Sequence, residues 1–263
     1  MALKLSVKEL AEAGAHYGHV TPKWHPKMKQ YIYGAKSGVY IIDLRKTLEK
    51  LKEAYEYAVK ISSGGGRVLF VGTKPLAREA VKAAAESVNG YYINQRWLGG
   101  TLTNFSTLRQ SVNNMENIES LAGKDFSYEG ILKKEANKME KERQKLMHLI
   151  GGIRYMKKMP AAIFMVDPIR EHIALKEAMT MGIPVVSIVD TNCNPDKVNY
   201  PIPGNDDSIN SVDLLLKVFV AGLLEGRAQF DKRGGAPEEE GEEEQLSAVP
   251  EEQSEESSDD ADE

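Results

Sequence analysis

Apolar residues change their spacing several times along this chain, and each change marks a new element. Leu44, Leu48, Leu51, Tyr55, Ala58 and Val59 recur at threes and fours, which puts them on one stripe of a helix over 44–61. Asp43 stands where an N-cap accepts a backbone N–H, and Gly64 to Gly66 end the run. Val39–Ile42, Arg67–Val71, Tyr91–Ile93, Ile163–Val166 and Val185–Val189 are short, nearly unbroken apolar runs and read as strands. Helices are predicted over Pro75–Ser87, Glu171–Met181 and Ile209–Gly222, the first with proline at an early position and the second closed by Gly182 before Pro184. Strands alternating with helices predict an α/β fold, a Rossmann-like three-layer domain with a mostly parallel sheet and right-handed crossovers.

The interval 104–158 breaks that alternation. Phe105, Leu108, Val112, Met115 and Ile118 repeat at threes and fours, whereas Leu132, Met139, Leu146 and Ile153 repeat at seven. Each stripe needs a partner, and Ala122, Gly123 and Lys124 interrupt the pattern between them. The simplest solution is an inserted antiparallel coiled-coil hairpin that projects from the sheet domain. Its second arm carries Lys133, Lys134, Lys138, Lys141, Arg143 and Lys145, interleaved with Glu135, Glu140 and Glu142. A cationic binding face and a surface helix laced with salt bridges both fit that pattern.

Charge is sorted along the chain, which makes the overall net of −5 misleading. Residues 234–263 hold 14 acids and no bases, so residues 1–233 keep 34 bases against 25 acids, a net of +9. A basic body of this kind points to a phosphate-rich polymer as partner. The tail of Glu, Gly, Ser and Asp lacks the apolar surface to offset chain ordering and is expected to be disordered. Cys193 is the sole cysteine, so no intrachain disulfide can form. No membrane span or export signal is expected, and a cytoplasmic setting follows.

The candidate chemistry is thin. His16 and His19 could meet on a helical turn with His25 or Cys193 as further metal ligands, but no paired-cysteine half-site accompanies them. Val71-Gly72-Thr73-Lys74-Pro75 follows a strand without the glycine spacing of a nucleotide loop, although Lys74 and Arg78 at that rim could hold a polymer phosphate. Asp167 and Asp190 both follow apolar strands, at the edge where open α/β sheets bind ligands. Capping and turn formation explain them equally well; Asp206 and Asp207 could likewise bind a metal, although capping the last helix is the simpler explanation. An α/β hydrolase or transferase using Asp167 and Asp190 stands as the enzymatic alternative, and a protein-only scaffold as a third.

One segment says more. Asn94-Gln95-Arg96-Trp97-Leu98-Gly99-Gly100-Thr101-Leu102-Thr103-Asn104-Phe105 resembles the signature of the bacterial-type ribosomal protein S-two family. His16-Tyr17-Gly18-His19, Trp24-His25-Pro26-Lys27-Met28, Phe70-Val71-Gly72-Thr73-Lys74, Asp190-Thr191-Asn192-Cys193-Asn194-Pro195 and Ile202-Pro203-Gly204-Asn205-Asp206-Asp207 extend the resemblance over most of residues 7–225. It implies a non-enzymatic constituent of the small ribosomal subunit, seated between head and body. It also implies contacts with ribosomal RNA, with neighbouring small-subunit proteins and, in many bacteria, with the large messenger-binding protein of repeated OB domains.

Four regions are expected on this reading. A basic segment over 1–38 packs on a discontinuous α/β domain, 39–103 with 159–229; a hairpin over 104–158 projects from it, and the acidic tail, 234–263, trails behind. RNA contacts are expected from Lys23, Trp24, His25, Lys27, Lys29, Lys74, Arg96 and Arg109 and, on the hairpin, from Lys138, Lys141, Arg143 and Lys145. Trp97 either stacks on a base or lies buried in the sheet domain. No catalytic residue and no required cofactor are expected, and association with zinc or magnesium is left open.

Overall fold

The computed structural model describes residues 5–122, 128 and 132–234. The acidic run from 235 onward and Gly123 and Lys124 lie outside the described residues. The elements run α1 (Val7–Glu12), β1 (Tyr17–Val20), β2 (Ile32–Lys36), β3 (Val39–Ile42), α2 (Leu44–Ser63), β4 (Val68–Val71), α3 (Arg78–Ser87) and β5 (Tyr91–Ile93). They continue with α4 (Phe105–Leu121), α5 (Lys133–Ile150), β6 (Ala162–Val166), α6 (His172–Thr180), β7 (Val185–Val189), β8 (Tyr200–Pro203) and α7 (Ile209–Lys232).

Five strands form one sheet in the order β5-β4-β6-β7-β8, every pair parallel. Such strands are covered on both faces, which is why β4, β6 and β7 are apolar and buried almost throughout. Side-chain alternation divides them between two cores. Val68, Phe70, Phe164 and Ile188 face α2, α3 and α7, whereas Leu69, Val71, Ile163 and Met165 face α4, α6 and the turn after α5. The result is the expected three-layer sandwich.

Several expectations need correction. The basic segment expected to pack on the core from outside contributes β1 and the start of β2 to a separate antiparallel sheet ordered β1-β3-β2. Val39–Ile42 belongs to that small sheet, so a boundary between 38 and 39 would cut through it. The helix expected from Pro75 begins at Arg78, and that expected to end at Gly222 runs on to Lys232. Sequence reading missed β8 because Pro201 and Pro203 argue against a strand; they are tolerated because β8 lies at the sheet edge. Ser208, not Asp206 or Asp207, caps α7 by accepting from the Ser211 N–H.

The long extension of α7 packs along α2, and glycine sets their separation. A Cβ on Gly226 would sit 2.4 Å from the Val59 carbonyl oxygen, well inside contact distance. The backbone of α7 thus rests directly on α2.

α4 and α5 run antiparallel. Arg109 near the start of α4 donates to the Arg154 carbonyl beyond α5, while Glu119 near its end meets Arg143 in the middle of α5. Leu108, Val112, Met115 and Ile118 are buried on α4. Opposite them, Ala136, Met139, Arg143, Leu146, Ile150 and Ile153 alternate at threes and fours and are half-buried or buried. Leu132, expected in that seam, is exposed at the start of the helix.

Candidate functional site

The carboxyl edge of the parallel sheet gathers side chains from four loops. After β4 comes Lys74, whose ammonium lies 2.5 Å from Asp207, 2.9 Å from Asp206 and 3.8 Å from Asp167. Burial pulls the Lys74 pKa down, but hydrogen bonds to Asp207 and Asp206 outweigh it and hold it above the ordinary value. Asp206 is fully buried, and burial together with the charges of Asp190 and Asp167 pushes its pKa up to about 7. The small sheet adds His19, with Nδ1 3.0 Å from Asp190 and Nε2 3.6 Å from Asp207. Its hydrogen bond to Asp190 raises the imidazole pKa despite partial burial.

These contacts change the expected roles. Lys74 is committed to internal carboxylates, which removes it from the set of free phosphate-binding cations. Arg78 donates its Nε–H to the Thr73 carbonyl. Asp167 accepts from the Ile169 and Arg170 N–H groups, and Asp190 from Thr191, so both proposed catalytic acids organise their own loops. His16 and His19 do not share a helical turn, because His19 lies in β1. The donors that converge are His19, Asp206 and Asp207, with one atom from each lying within 4.8 Å of the others. His16, His25 and Cys193 stand outside that group, and burial pushes the Cys193 thiol up.

Across the crevice, the Gln95–Asn104 segment is organised around an acid that sequence reading missed. Glu177, on the buried side of α6, accepts from the Trp97 Nε1–H, the N–H groups of Gly100, Leu102 and Thr103, and the Thr103 hydroxyl. Burial would raise its pKa, yet Trp97 and the backbone donors together hold it below the ordinary range. The Trp97 indole is 6% exposed, so it is part of the core and does not stack on a base. Its neighbour Arg96 is turned outward and exposed.

The remaining cations fall into two groups. In the N-terminal segment, the His25 N–H bonds to the Thr191 carbonyl and its Nδ1 accepts from Lys27, while Trp24 packs 5.2 Å from the Tyr40 ring. Lys27 is ion-paired with Asp196; Lys23 and Lys29 are exposed without ion pairs among the described residues. On α5, Lys138, Lys141 and Lys145 are exposed and have no ion pairs among the described residues. Arg143 instead turns into the seam, bonded to Glu140 and Glu119, and Arg109 binds carbonyls at the hairpin base. Glu140 is thereby held at about 2, mainly by Arg143. Of the three acids interleaved on this helix, Glu140 is engaged with Arg143 and Glu142 with Asn114, whereas Glu135 is exposed without a hydrogen bond or ion pair among the described residues.

The described residues thus join a two-core parallel sheet to a helical hairpin whose second arm exposes Lys138, Lys141 and Lys145. The model of the family described as ribosomal protein S2 matches residues 10–226. Over 222 residues, covering 84% of this chain and 86% of the relative, the chain is 49% identical to the small ribosomal subunit protein uS2 of Geotalea uraniireducens (strain Rf4). The chain belongs to the ribosomal protein S2 family.

Proposed function

We propose that this chain is a two-part clamp on small-subunit ribosomal RNA, with the α/β body and the α4–α5 hairpin gripping separate stretches of folded RNA. Its family makes it a structural constituent of the small ribosomal subunit, associated with ribosomal RNA and neighbouring ribosomal proteins. The observation that carries the clamp is the state of the α5 lysines. Lys138, Lys141 and Lys145 stand exposed and without ion pairs among the described residues, while Glu140 and Glu142 between them are engaged by Arg143 and Asn114. Unpaired lysines on a rigid helix offer regularly spaced point charges to a phosphate backbone. Lys23, Lys29 and Arg96 offer the same from the body, and Lys27 joins them by exchanging its surface partner. Among the described residues no helix is long and apolar enough to cross a membrane.

We infer a seat between head and body of the subunit, with the OB-repeat messenger-binding protein among the neighbours, as the family resemblance implies. The clamp calls on no cofactor and performs no reaction. Photo-crosslinking from position 138 in native small subunits tests the hairpin contact. Crosslinks to ribosomal RNA support it, and crosslinks to protein alone refute it in favour of a protein-only scaffold.

A second, smaller assignment concerns metal. His19, Asp206 and Asp207 supply one imidazole and two carboxylates, donor types suited to zinc, and the carboxylates also suit magnesium. The second oxygen of Asp206 is buried without a hydrogen-bond partner, which leaves a lone pair for an ion. Calorimetric titration with zinc and with magnesium should show saturable binding that His19→Ala weakens at least tenfold. Identical isotherms for the two proteins would reject the assignment.

A further inference from the structure

The crevice outside β4, β5 and β6 contains a second feature, separate from the Lys74 cluster. A cavity of about 390 Å³ opens there, lined by Thr73, Gln95, Arg96, Arg170, Glu171 and Ile173 among others. It lies at the point where the strand order reverses, since the chain leaves β4 toward β5 on one side and returns to β6 on the other. Open α/β sheets characteristically bind ligands at that point. The volume falls in the range of small-molecule sites and far exceeds what a bare phosphate would fill.

Its lining sorts by chemistry. Arg170 is fixed by its Nε–H bond to the Thr73 hydroxyl, which aims the guanidinium while leaving both terminal nitrogens without a partner among the described residues. Arg96, which also lines the cavity, has no hydrogen bond or ion pair among the described residues. Two arginines lining one space supply the donors of a phosphate fork. Among the described residues Glu171 is the only acid lining the cavity; one oxygen is taken by the Thr73 N–H and hydroxyl, so the surplus charge remains positive. Ile173, 45% exposed, adds an apolar surface to a lining that also includes Gln95 and Glu171. That arrangement suits the face and the polar edge of a nucleobase.

We propose that this cavity binds one ribonucleotide, its phosphate held between Arg96 and Arg170 and its base against Ile173 within reach of Gln95 and Glu171. The source of that nucleotide rests on the clamp reading: a residue of ribosomal RNA drawn out of its helix. The pocket itself does not depend on that reading.

The test uses the full-length protein carrying Trp24→Phe, which leaves Trp97, a residue of the cavity lining, as the sole tryptophan and its indole N–H, bonded to Glu177, as a single NMR reporter. It is titrated with AMP, GMP, UMP and CMP, with the matching nucleosides and with inorganic phosphate. The proposal predicts a saturable shift with at least one monophosphate. The matching nucleoside, and the same monophosphate added to the Arg96→Gln, Arg170→Gln double variant, should each bind at least tenfold more weakly. No saturation by any monophosphate, or equal binding of the nucleoside, overturns the pocket without recourse to a variant. Small subunits assembled with the single Arg170→Gln variant, which keeps the Arg96 of the clamp, then identify the source. Retained protein with lost chemical protection at one or a few ribosomal RNA bases supports an extruded residue. Unchanged protection overturns the RNA source and assigns the pocket to a free nucleotide. Neither result bears on the hairpin lysines, so failure of the pocket and failure of the clamp are separable.

Discussion

Glu177 gathers five hydrogen bonds onto one carboxylate, and the loop from Trp97 to Thr103 takes its shape from them. Glutamine in its place turns an amide N–H₂ toward backbone donors, leaving buried groups unmatched. Glu177→Gln should therefore cost about 2–4 kcal/mol in urea unfolding, whereas the exposed Arg96→Gln should cost less than about 0.5. Sequence reading found this loop and offered two roles for Trp97, but its acid partner lies on another helix. Nothing local could reveal that pairing. The acidic edge supplies a pH signature: Asp206 has a folded pKa of about 7 against an ordinary 3.8, so the folded state keeps a proton that the unfolded chain releases. That contribution favours folding at low pH and falls as pH rises from about 4 to about 7; His19, also raised, acts in the same direction near neutrality. With metal chelated, Asp206→Asn should flatten the decline in stability across this window. A slope equal to that of the parent protein would contradict the assignment.

At the scale of elements, the periodicities were legible because each buried stripe answers to one packing surface. The stripes of α2 and α4, and the apolar runs of β4, β6 and β7, stand where the residue pattern placed them. What the pattern could not convey was pairing. Val39–Ile42 has the composition of a central strand yet joins a small antiparallel sheet, because strand partners are set by chain path. The added turns of α7 depend on contact with α2, and Gly226 marks the closest approach. Gly226→Ala should push the two helices apart and cost about 1–3 kcal/mol, read as a lower midpoint in chemical denaturation. In the hairpin seam, Arg143 is a polar residue held by Glu119 and Glu140. Such a group serves to fix register. Arg143→Gln should speed hydrogen exchange in α4 and α5 while leaving β4 and β6 as protected as before.

On the scale of the whole molecule, the sorting of charge along the chain is enough to point to a polyanionic partner, and the family match agrees with it. The individual contacts were less legible, because a lysine in a sequence does not disclose whether a carboxylate already occupies it. Lys74 and Arg143 turn inward, whereas Lys138, Lys141 and Lys145 do not. A rigid body and a rigid hairpin, each bearing free cations, would bind through many modest and salt-sensitive contacts rather than one pocket.

The central claim is tested most directly by measuring binding to small-subunit ribosomal RNA across a salt series for the parent protein and for Lys138→Glu, Lys141→Glu, Lys145→Glu combined. Three lost phosphate contacts should lower affinity at least tenfold at physiological salt and reduce the slope of log affinity against log salt by about 2–3, with the unfolding midpoint unchanged. Equal affinity and equal slope for the two folded proteins would contradict the clamp.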